Sequence, residues 1–290
     1  IHINNFGFRG SDFEVEKENN TVRIFVVGGS TTAGFEASGD HATIPGYLEK
    51  FFNGIDMENY VQVVNAGKSG FSSYTEKALI FDKIQYLNPD MIIVYDGWNN
   101  VRADYSPEFS KSHWNDMCEL GKNKGFEVII MLQPTLTFGE KPLTKQEYSN
   151  YLIDYDHFGY KMSSKTDMYD GYAKAMKELS NCTNTFDLRN VFENTTEPIY
   201  FDGGHMVDNG HEIIAKKIFD LLKEDVKNKE PNKNTITLVN EEIKESDDYH
   251  LQIEETSKTD EIVNIGRMYK QLSGILTFYK TPTFLGSLIE

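Results

Sequence analysis

The sequence predicts an α/β fold in which a parallel sheet is covered by helices on both faces. Short apolar runs alternate with helix-length amphipathic stretches, which is the pattern of right-handed strand–helix–strand units. The chain has 290 residues, of which 39% are hydrophobic, and this is enough apolar surface to fill a sizeable core. The sequence contains no run of about 18 apolar residues, so it predicts no membrane-spanning segment.

The predicted strands are apolar runs bounded by turn residues. In chain order they are Val22–Val27, Tyr60–Asn65, Asp90–Tyr95, Phe126–Leu132 and Thr185–Leu188. In a parallel sheet of this kind, ligands bind at the carboxyl ends of the strands. The residues that follow each strand are therefore the first place to look for a functional site.

The predicted helices have apolar residues at helical spacing and lie between or after these strands. In chain order they are Thr43–Phe52, Tyr74–Leu87, Pro107–Lys124, Asp167–Ser180 and Asn209–Lys227. Residues 135–165 interrupt the alternation and are rich in aromatic side chains. These aromatic residues are Tyr148, Tyr151, Tyr155, Phe158 and Tyr160. A lid or substrate wall and a helix that packs its rings on the core are both open interpretations.

The chain divides into a main domain, residues 1–229, and a C-terminal extension, residues 230–290, whose role the sequence does not indicate. A linker-like stretch, Glu230–Asn234, opens the extension. A strand is expected at Thr235–Val239 and a helix at Asp260–Tyr279. The helix carries a near-heptad apolar stripe, and packing on the main domain is favoured over pairing with a partner chain. The oligomeric state stays open.

Charge and cysteine content exclude several classes of function. Lys and Arg number 29 against 45 Asp and Glu, which gives a formal net charge of −16. Such a chain repels nucleic-acid phosphates and anionic lipid, so neither is expected as a partner. Cys118 and Cys182 are too few for a disulfide scaffold or a cysteine-based zinc site. Two buried thiols are favoured over one disulfide.

A serine lies in a glycine-rich turn directly after the first predicted strand. The strand ends in Gly28-Gly29, and Ser30 is the next residue. A serine flanked by small residues at a strand end lies on a tight turn that exposes its hydroxyl above the sheet, as a nucleophile requires. The turn lacks the G-x-x-x-x-G-K-[ST] pattern of a nucleotide-binding loop. Taken alone, the motif also fits an ordinary glycine turn.

Residues after the second and third strands can donate hydrogen bonds to a developing negative charge. Gly67 can bring a bare backbone N–H close to a ligand, and Asn99 offers a side-chain N–H. Together with the N–H of Ser30 they form a candidate oxyanion hole. Each of them alone fits a turn, but their position at successive strand ends favours one shared site.

Two Asp-x-x-His motifs lie near the end of the main domain. The first pairs Asp202 with His205, and the second pairs Asp208 with His211. A carboxylate beside the first imidazole would fix its tautomer and leave Nε2 to take a proton from Ser30. Asp208 occupies the expected N-cap of the last helix, so the second pair is interpreted as structural. We therefore expect Ser30 Oγ within about 3.5 Å of His205 Nε2.

These four motifs together resemble the SGNH hydrolases, also called the GDSL esterase and lipase family. Gly28–Thr31 is similar to the nucleophile motif, and Gly67 to the glycine of the second block. Gly97–Asn100 is similar to the family's G-x-N-D motif, and Asp202–His205 to its D-x-x-H motif. The resemblance covers roughly residues 4–228.

The resemblance implies a flavodoxin-like three-layer α/β/α sandwich with a five-stranded parallel sheet. It also implies ester hydrolysis through an acyl-enzyme on Ser30, with His205 as general base and then acid and Asp202 as its orienting partner. Ser30, Gly67 and Asn99 would supply the oxyanion hole. The resemblance implies no metal and no organic cofactor.

The sequence departs from the family pattern at two supporting positions. Gly29 replaces the Asp that usually precedes the nucleophile, and Asn100 replaces the Asp that usually follows the oxyanion Asn. Neither change removes a member of the catalytic triad or of the oxyanion hole. The departures therefore bear on the rigidity of the loops and on rate more than on reaction type.

The expected substrate is a neutral O-acyl ester, either an acetylated carbohydrate or a short-chain ester. Candidate substrate contacts are Trp98, Ser69, Tyr148 and Tyr151, with core packing as an equal alternative for Trp98. Two other functions stay open. One is an acyltransferase that uses a sugar hydroxyl as acceptor, and the other is a non-catalytic binding protein on the same scaffold.

The N-terminal residues bear on location. Asn5–Gly10 resembles a lead-in of SGNH proteins that carry an upstream anchor or secretion signal, and the chain begins at Ile1 rather than Met. The lead-in favours an extracytoplasmic location, and the start at Ile1 leaves open whether an upstream signal or anchor was removed. The alternative is an irregular arm that packs Phe6 and Phe8 on the domain.

Overall fold

The computed structural model describes residues 1–153 and 165–232, which contain one five-stranded parallel sheet. Its strands are β1 (Thr21–Gly28), β2 (Tyr60–Gly67), β3 (Met91–Asp96), β4 (Glu127–Leu132) and β5 (Asn184–Asp187). Their order across the sheet is β2-β1-β3-β4-β5, and every neighbouring pair is parallel. All carboxyl ends of the strands therefore lie along one edge.

Eight α-helices accompany the sheet in the described residues. They are α1 (Ser30–Ala33), α2 (Ile44–Asn53), α3 (Ser73–Asp82), α4 (Trp98–Arg102), α5 (Pro107–Lys124), α6 (Lys145–Ile153), α7 (Thr166–Lys177) and α8 (Asp208–Lys227). Short 3-10 turns occur at Asp40–Ala42 and Ile84–Tyr86. In this part of the chain no helix has the length and apolar character needed to cross a membrane.

Two hydrophobic cores cover the two faces of the sheet. Successive residues of β1 point to opposite faces: Ile24 and Val26 enter the core formed with α2 and α8, whereas Phe25 and Val27 enter the core formed with α3, α5 and α7. Every residue of β1 is buried, as expected for a central strand with helices on both sides. This confirms the predicted three-layer α/β/α sandwich.

The structure also shows where periodicity predicts the elements and where it does not. All five predicted strands overlap observed strands. The helix predicted to continue to Leu87 ends at Asp82, because Lys83 leaves helical geometry with φ −143° and ψ −58°. Periodicity does not predict α1 and α4, because both helices are too short to show an amphipathic repeat.

The predicted N-cap of the last helix is corrected by one position. Val207 is the N-cap of α8, and Asp208 is the first residue of the helix. The Asp208 carboxylate accepts hydrogen bonds from the backbone N–H of Ser38 at 2.9 Å and from its hydroxyl at 2.5 Å. Asp208 thus holds the loop after α1 against the start of α8, a structural role that agrees with the interpretation of the second motif.

The aromatic insertion contains α6, whose two tyrosines face solvent. Tyr148 is 51% exposed and Tyr151 is 43% exposed, and their rings stack at a centroid distance of 6.3 Å. The other predicted aromatic residues, Tyr155, Phe158 and Tyr160, lie outside the described residues. The two described tyrosines of the insertion therefore do not pack into the core.

The two cysteines form a disulfide, so the expectation of two free thiols is wrong. Cys118 lies buried on α5, and Cys182 lies in the turn before β5, with 64 residues of separation and 4.6 Å between the Cα atoms. A contact over this separation depends on how α5 and α7 pack on the same face of the sheet. The sequence pattern alone does not reveal it.

The described part of the predicted linker is attached to the main domain. The Asn232 backbone N–H donates to Asp90 Oδ1, and its side-chain amide donates to the carbonyls of Pro89 and Gly125. The strand expected at Thr235–Val239 and the helix expected at Asp260–Tyr279 lie outside the described residues. The division at residue 229 therefore stays a prediction.

Candidate active site

A continuous hydrogen-bonded chain joins Ser30, His205 and Asp202 at the carboxyl edge of the sheet. Ser30 Oγ lies 2.7 Å from His205 Nε2, and His205 Nδ1 lies 2.8 Å from Asp202 Oδ2. The Ser30–His205 distance is within the 3.5 Å limit expected from sequence. Because a carboxylate only accepts hydrogen bonds, Nδ1 carries the ring proton and Nε2 can accept the serine proton.

The turn from Asp202 to His205 fixes both residues. Asp202 Oδ1 accepts the backbone N–H groups of Gly204 and His205, both at 2.8 Å, while Oδ2 faces the imidazole. Burial by itself would raise the pKa of Asp202, but the hydrogen bonds from His205 and Gly204 lower it to about 2. The carboxylate is therefore ionised at neutral pH and can stabilise a positive charge on His205.

Ser30 begins α1, a single helical turn at the end of β1. The first residues of a helix have backbone N–H groups without partners inside the helix, so the Ser30 N–H is at an end suited to an anion. The serine side chain is partly exposed, whereas Thr31 and Thr32 behind it are buried. Thr31 Oγ1 reaches the Gly204 carbonyl at 3.5 Å and links the nucleophile turn to the His205 turn.

Both predicted oxyanion donors lie against this turn. Asn99, on α4, is so close that a Cβ atom at Gly29 would lie 2.3 Å from its Nδ2. A Cβ atom at Gly67, the last residue of β2, would lie 2.2 Å from the backbone nitrogen of Ala33 in α1. The absence of side chains at these two positions allows the three strand ends to converge.

Both donors already make hydrogen bonds within the protein. The Gly67 N–H donates to Asn65 Oδ1 at 3.1 Å, and Asn99 Nδ2 donates to the Phe71 carbonyl at 2.7 Å. An amide nitrogen carries two hydrogens, so Asn99 has a second one for a ligand. Gly67 would have to share or exchange its present acceptor to bind an oxyanion.

His211, the histidine of the second Asp-x-x-His motif, is hydrogen-bonded away from Ser30. His211 is fully buried, and its Nδ1 donates to the Ala42 carbonyl at 3.1 Å. Burial lowers the pKa of His211 to about 4, so the ring is neutral at pH 7. His211 is part of the packing between α8 and the 3-10 turn at Asp40–Ala42.

The four candidate substrate contacts have different environments. Trp98 is only 3% exposed, belongs to the hydrophobic core and packs under Gly204, so its surroundings support the core-packing alternative. Ser69 lies on the exposed loop after β2. Tyr148 and Tyr151 lie on the solvent face of α6, and Asn150 between them reaches the Phe201 carbonyl at 3.3 Å.

Two aromatic residues at the site are absent from the sequence-based candidates. The ring centroid of Phe35 is 4.5 Å from that of His205, and the ring of Phe201 is 6.3 Å from that of Phe35. The available signal was proximity along the chain, since Phe201 directly precedes Asp202 and Phe35 directly follows the glycine after α1. Both side chains are exposed beside the Ser30–His205 pair.

A buried polar network holds the helix that carries Asn99. The Asp96 carboxylate accepts hydrogen bonds from Gly97 N–H, Asn100 Nδ2 and Trp114 Nε1, and Asn100 Oδ1 accepts the Ser73 N–H. Burial raises the pKa of Asp96 as well. The network fixes α4, the helix that carries Asn99.

Glu76 adds a second carboxyl group to this buried region. Its burial, together with the neighbouring Asp96 charge, raises the pKa of Glu76 well above its usual value. The departure from the family at position 100 has a physical reason, since an Asp there would add another carboxyl group to two that are already buried.

The N-terminal arm braces the nucleophile helix through Arg9. Its Nη1 donates to the carbonyls of Ala33 and Gly34 at 2.8 and 2.9 Å, and its Nε donates to Asp40 at 2.6 Å. Arg9 is 8% exposed and also pairs by a backbone bridge with Asn65. The N-terminal arm, which the sequence also allowed to be an irregular segment packed on the domain, thus contacts the turn that carries Ser30.

Glu147 anchors the aromatic insertion to the segment before the His205 turn. Its Oε1 accepts the backbone N–H groups of Ile199 and Tyr200, and its Oε2 accepts Lys141 Nζ and the Thr144 N–H. Burial would raise the pKa of Glu147, but these four hydrogen bonds lower it to about 2.

In the described residues no group of three or more His, Cys, Asp or Glu side chains is placed to hold a metal ion.

Solved structures with the same fold include several esterases, whereas no family model and no curated protein sequence matches the chain. Axe2, an acetylxylan esterase from Geobacillus stearothermophilus, is 18% identical with a TM-score of 0.52, over 69% of this chain and 93% of its own. The acetyl xylan esterase AlAXEase is 17% identical with a TM-score of 0.52, over 69% of this chain and 100% of its own. At these identities the likeness shows a shared fold.

Proposed function

We propose that this chain, which has the fold of the SGNH hydrolases, is a serine esterase that cleaves carboxylic esters through an acyl-enzyme on Ser30. The observation that carries the proposal is the unbroken chain from Ser30 Oγ through His205 to Asp202, with distances of 2.7 and 2.8 Å. A partly exposed serine, a histidine and an ionised carboxylate in this order have the arrangement that activates a serine nucleophile.

In the acylation step, Ser30 Oγ attacks the ester carbonyl while its proton moves to His205 Nε2. The Asp202 carboxylate stabilises the imidazolium that forms. The carbonyl oxygen becomes an oxyanion near the Ser30 N–H, the Asn99 side-chain amide and the Gly67 N–H. When the tetrahedral intermediate collapses, His205 returns the proton to the leaving alcohol, and the acyl group remains on Ser30.

In the deacylation step, the same residues act on water. His205 Nε2 takes a proton from water as the water oxygen attacks the acyl carbonyl. The second tetrahedral intermediate then releases the carboxylic acid, and His205 gives the proton back to Ser30 Oγ. Each proton transfer passes through His205 Nε2, the ring nitrogen that faces Ser30 Oγ.

A neutral O-acyl ester, such as an acetylated carbohydrate or a short-chain ester, is the substrate class that we propose. The formal net charge of −16 disfavours strongly anionic substrates. Two of the solved structures with this fold are described as acetylxylan esterases, which supports a carbohydrate ester as the first substrate to test. Tyr148, Tyr151 and Ser69 are exposed and remain candidates for contacts to the rest of such a substrate.

A fluorophosphonate probe tests the nucleophile directly. We expect one label per chain on the wild-type protein and none on Ser30→Ala, because the probe reacts with an activated serine hydroxyl. Ser112→Ala, at an exposed serine of α5, is the matched control and should label normally. Absence of labelling on well-folded wild-type protein would contradict the proposal and favour a non-catalytic binding protein.

Product analysis separates hydrolysis from transfer. An acetyl ester donor is incubated with and without a polyol acceptor, and the acid and acyl-polyol products are quantified. We expect the free acid to dominate in both mixtures. If the acyl-polyol dominates when acceptor is present, the enzyme is an acyltransferase that uses the same Ser30 site.

A further inference from the structure

Two exposed phenylalanines, Phe35 and Phe201, lie beside the proposed catalytic histidine. Phe35 is 38% exposed and Phe201 is 47% exposed, although both are among the most apolar side chains of the protein. Their rings are 6.3 Å apart in an edge-to-face arrangement, and Phe35 contacts His205 at 4.5 Å between ring centroids. Exposed apolar side chains grouped at a polar site are typical of a binding surface rather than of random exposure.

Hydrogen bonds hold the backbone of both phenylalanines close to the reacting residues. The Phe35 N–H donates to the Ser30 carbonyl at 2.9 Å, and the Phe201 N–H donates to the His205 carbonyl at 2.9 Å. Each aromatic residue is thus tied to the main chain of one member of the Ser30–His205 pair. A ligand that packs on these rings is held at a set distance from the catalytic groups, which is a requirement for orientation.

The chemistry identifies which half of an ester lies there. His205 must give its proton to the oxygen of the leaving alcohol, so that oxygen comes within hydrogen-bond reach of Nε2. The oxyanion donors Asn99 and Gly67 approach Ser30 from α4 and β2. The Phe35 ring contacts the imidazole of His205, and the Phe201 ring packs against Phe35. The alcohol half of the substrate therefore meets the two rings.

We infer that Phe35 and Phe201 form the binding surface for the alcohol half of the substrate, and that this alcohol is a pyranose. A pyranose is neutral and presents a face of C–H groups that packs on aromatic rings, while its hydroxyls stay in contact with water. The net charge of −16 fits a neutral ring better than a charged one. The inference rests on the proposed esterase function and specifies its substrate class.

The test compares variants on three acetyl esters: an acetylated methyl pyranoside, phenyl acetate and methyl acetate. For Phe35→Ala and Phe201→Ala we expect KM for the pyranoside to rise roughly tenfold more than KM for methyl acetate, with kcat for the pyranoside less affected. Phe35→Trp and Phe201→Trp keep an aromatic face and should keep most of the binding. Tyr60→Ala, at an exposed aromatic residue of the opposite sheet edge, is the control and should leave all three esters unaffected.

Each outcome decides between specific alternatives. Equal losses on the pyranoside and on methyl acetate, or unchanged KM for the pyranoside, would overturn the inference, because the rings would then support the catalytic residues only. A selective loss on phenyl acetate alone would assign the surface to an aryl alcohol and overturn the pyranose. Fluorophosphonate labelling of each variant is measured in parallel. If wild-type protein does not label, the proposed function itself fails; if labelling is normal, a negative result concerns the binding surface alone.

Discussion

Gly29 shows how a single position can depart from a family pattern without loss of the site. A Cβ atom there would lie 2.3 Å from Asn99 Nδ2 and 3.3 Å from the Phe71 carbonyl, which is the acceptor of that same amide. Any larger residue on this backbone would have to displace the Asn99 side chain. The glycine therefore lets the amide of Asn99 lie beside the turn that carries Ser30, where the proposed mechanism needs a donor to the oxyanion.

Asn100, the second departure, is explained by its partners. Its side-chain N–H donates to Asp96 at 2.8 Å, and its carbonyl oxygen accepts the Ser73 N–H at 2.8 Å. An amide satisfies both requirements at once, because it carries a donor and an acceptor. An ionised Asp would accept from Ser73 but would repel Asp96, which is itself buried next to Glu76.

We predict that Asn100→Asp lowers the free energy of unfolding by about 2–4 kcal/mol, because it places a further carboxyl group in the buried network without a donor to Asp96. Urea unfolding at pH 7 measures the loss. Adding Asp96→Asn to the same chain should recover part of it, since one amide and one carboxylate then face each other again.

The matched control for Asn100→Asp is Asn123→Asp, which adds the same charge at an exposed position of α5. We expect this control to change stability by less than about 0.5 kcal/mol. Equal effects of the two substitutions, or no recovery in the double variant, would mean that charge repulsion at Asp96 does not select the amide.

At the scale of elements, α6 is connected to the catalytic turn through one carboxylate. Glu147 receives four hydrogen bonds, two from Ile199 and Tyr200 and two from the residues before α6. The chain continues from Tyr200 into Phe201 and Asp202, so Glu147 sets the position of the segment that carries these two residues. An ion pair with Lys141 that is almost fully buried completes this anchor.

We predict that Glu147→Gln lowers the free energy of unfolding by about 3 kcal/mol at pH 7, because the amide nitrogen would face Lys141 and the Thr144 N–H with no lone pair to offer. The folded-state pKa of Glu147 is depressed from 4.5 to about 2. Its contribution is therefore complete above pH 4.5 and is lost as the pH falls through about 2.

Urea unfolding of wild type and Glu147→Gln at pH 7 and pH 3 checks both statements. The difference in stability between the two proteins should shrink at the lower pH. Glu119→Gln removes an exposed carboxylate of α5 and serves as the control, with little change at either pH. A difference that is the same at both pH values would show that the loss comes from packing and not from the carboxylate charge.

At the scale of the whole molecule, the sequence predicts what depends on periodicity and on short motifs. Five apolar runs and five amphipathic stretches were enough for the sheet and the long helices, and the resemblance to the SGNH hydrolases is confirmed for the fold. The resemblance to the family, and not the periodicity of the chain, pairs Ser30 with His205, although 175 residues separate them.

Contacts without a local pattern were not predictable. The Glu147 carboxylate accepts a hydrogen bond from the Ile199 N–H across 52 residues, and neither residue belongs to a motif that would predict this contact. Phe35 and Phe201 are ordinary hydrophobic residues in the sequence and become notable only through their exposure beside His205. The two short helices that carry Ser30 and Asn99 follow from tertiary packing, because helices of this length have little stability of their own.

The disulfide between Cys118 and Cys182 is another contact that no local sequence pattern predicts, and it contributes to the stability of the fold. It joins α5 to the turn before β5 and closes a span of 64 residues that includes β4 and α7. Restricting an unfolded loop of this length is worth at most about 4 kcal/mol in the chain-entropy description.

We predict that replacing both cysteines, with Cys118→Ala and Cys182→Ala in one chain, lowers the free energy of unfolding by about 2–4 kcal/mol. Reductant should lower the stability of the wild-type protein by a similar amount and should not affect the double variant, which has no sulfur bond to break. Thiol titration of the denatured, unreduced wild type should find no free cysteine. If two thiols are titrated and reductant does not change the stability, both residues are buried free thiols, and packing alone holds α5 against the turn before β5.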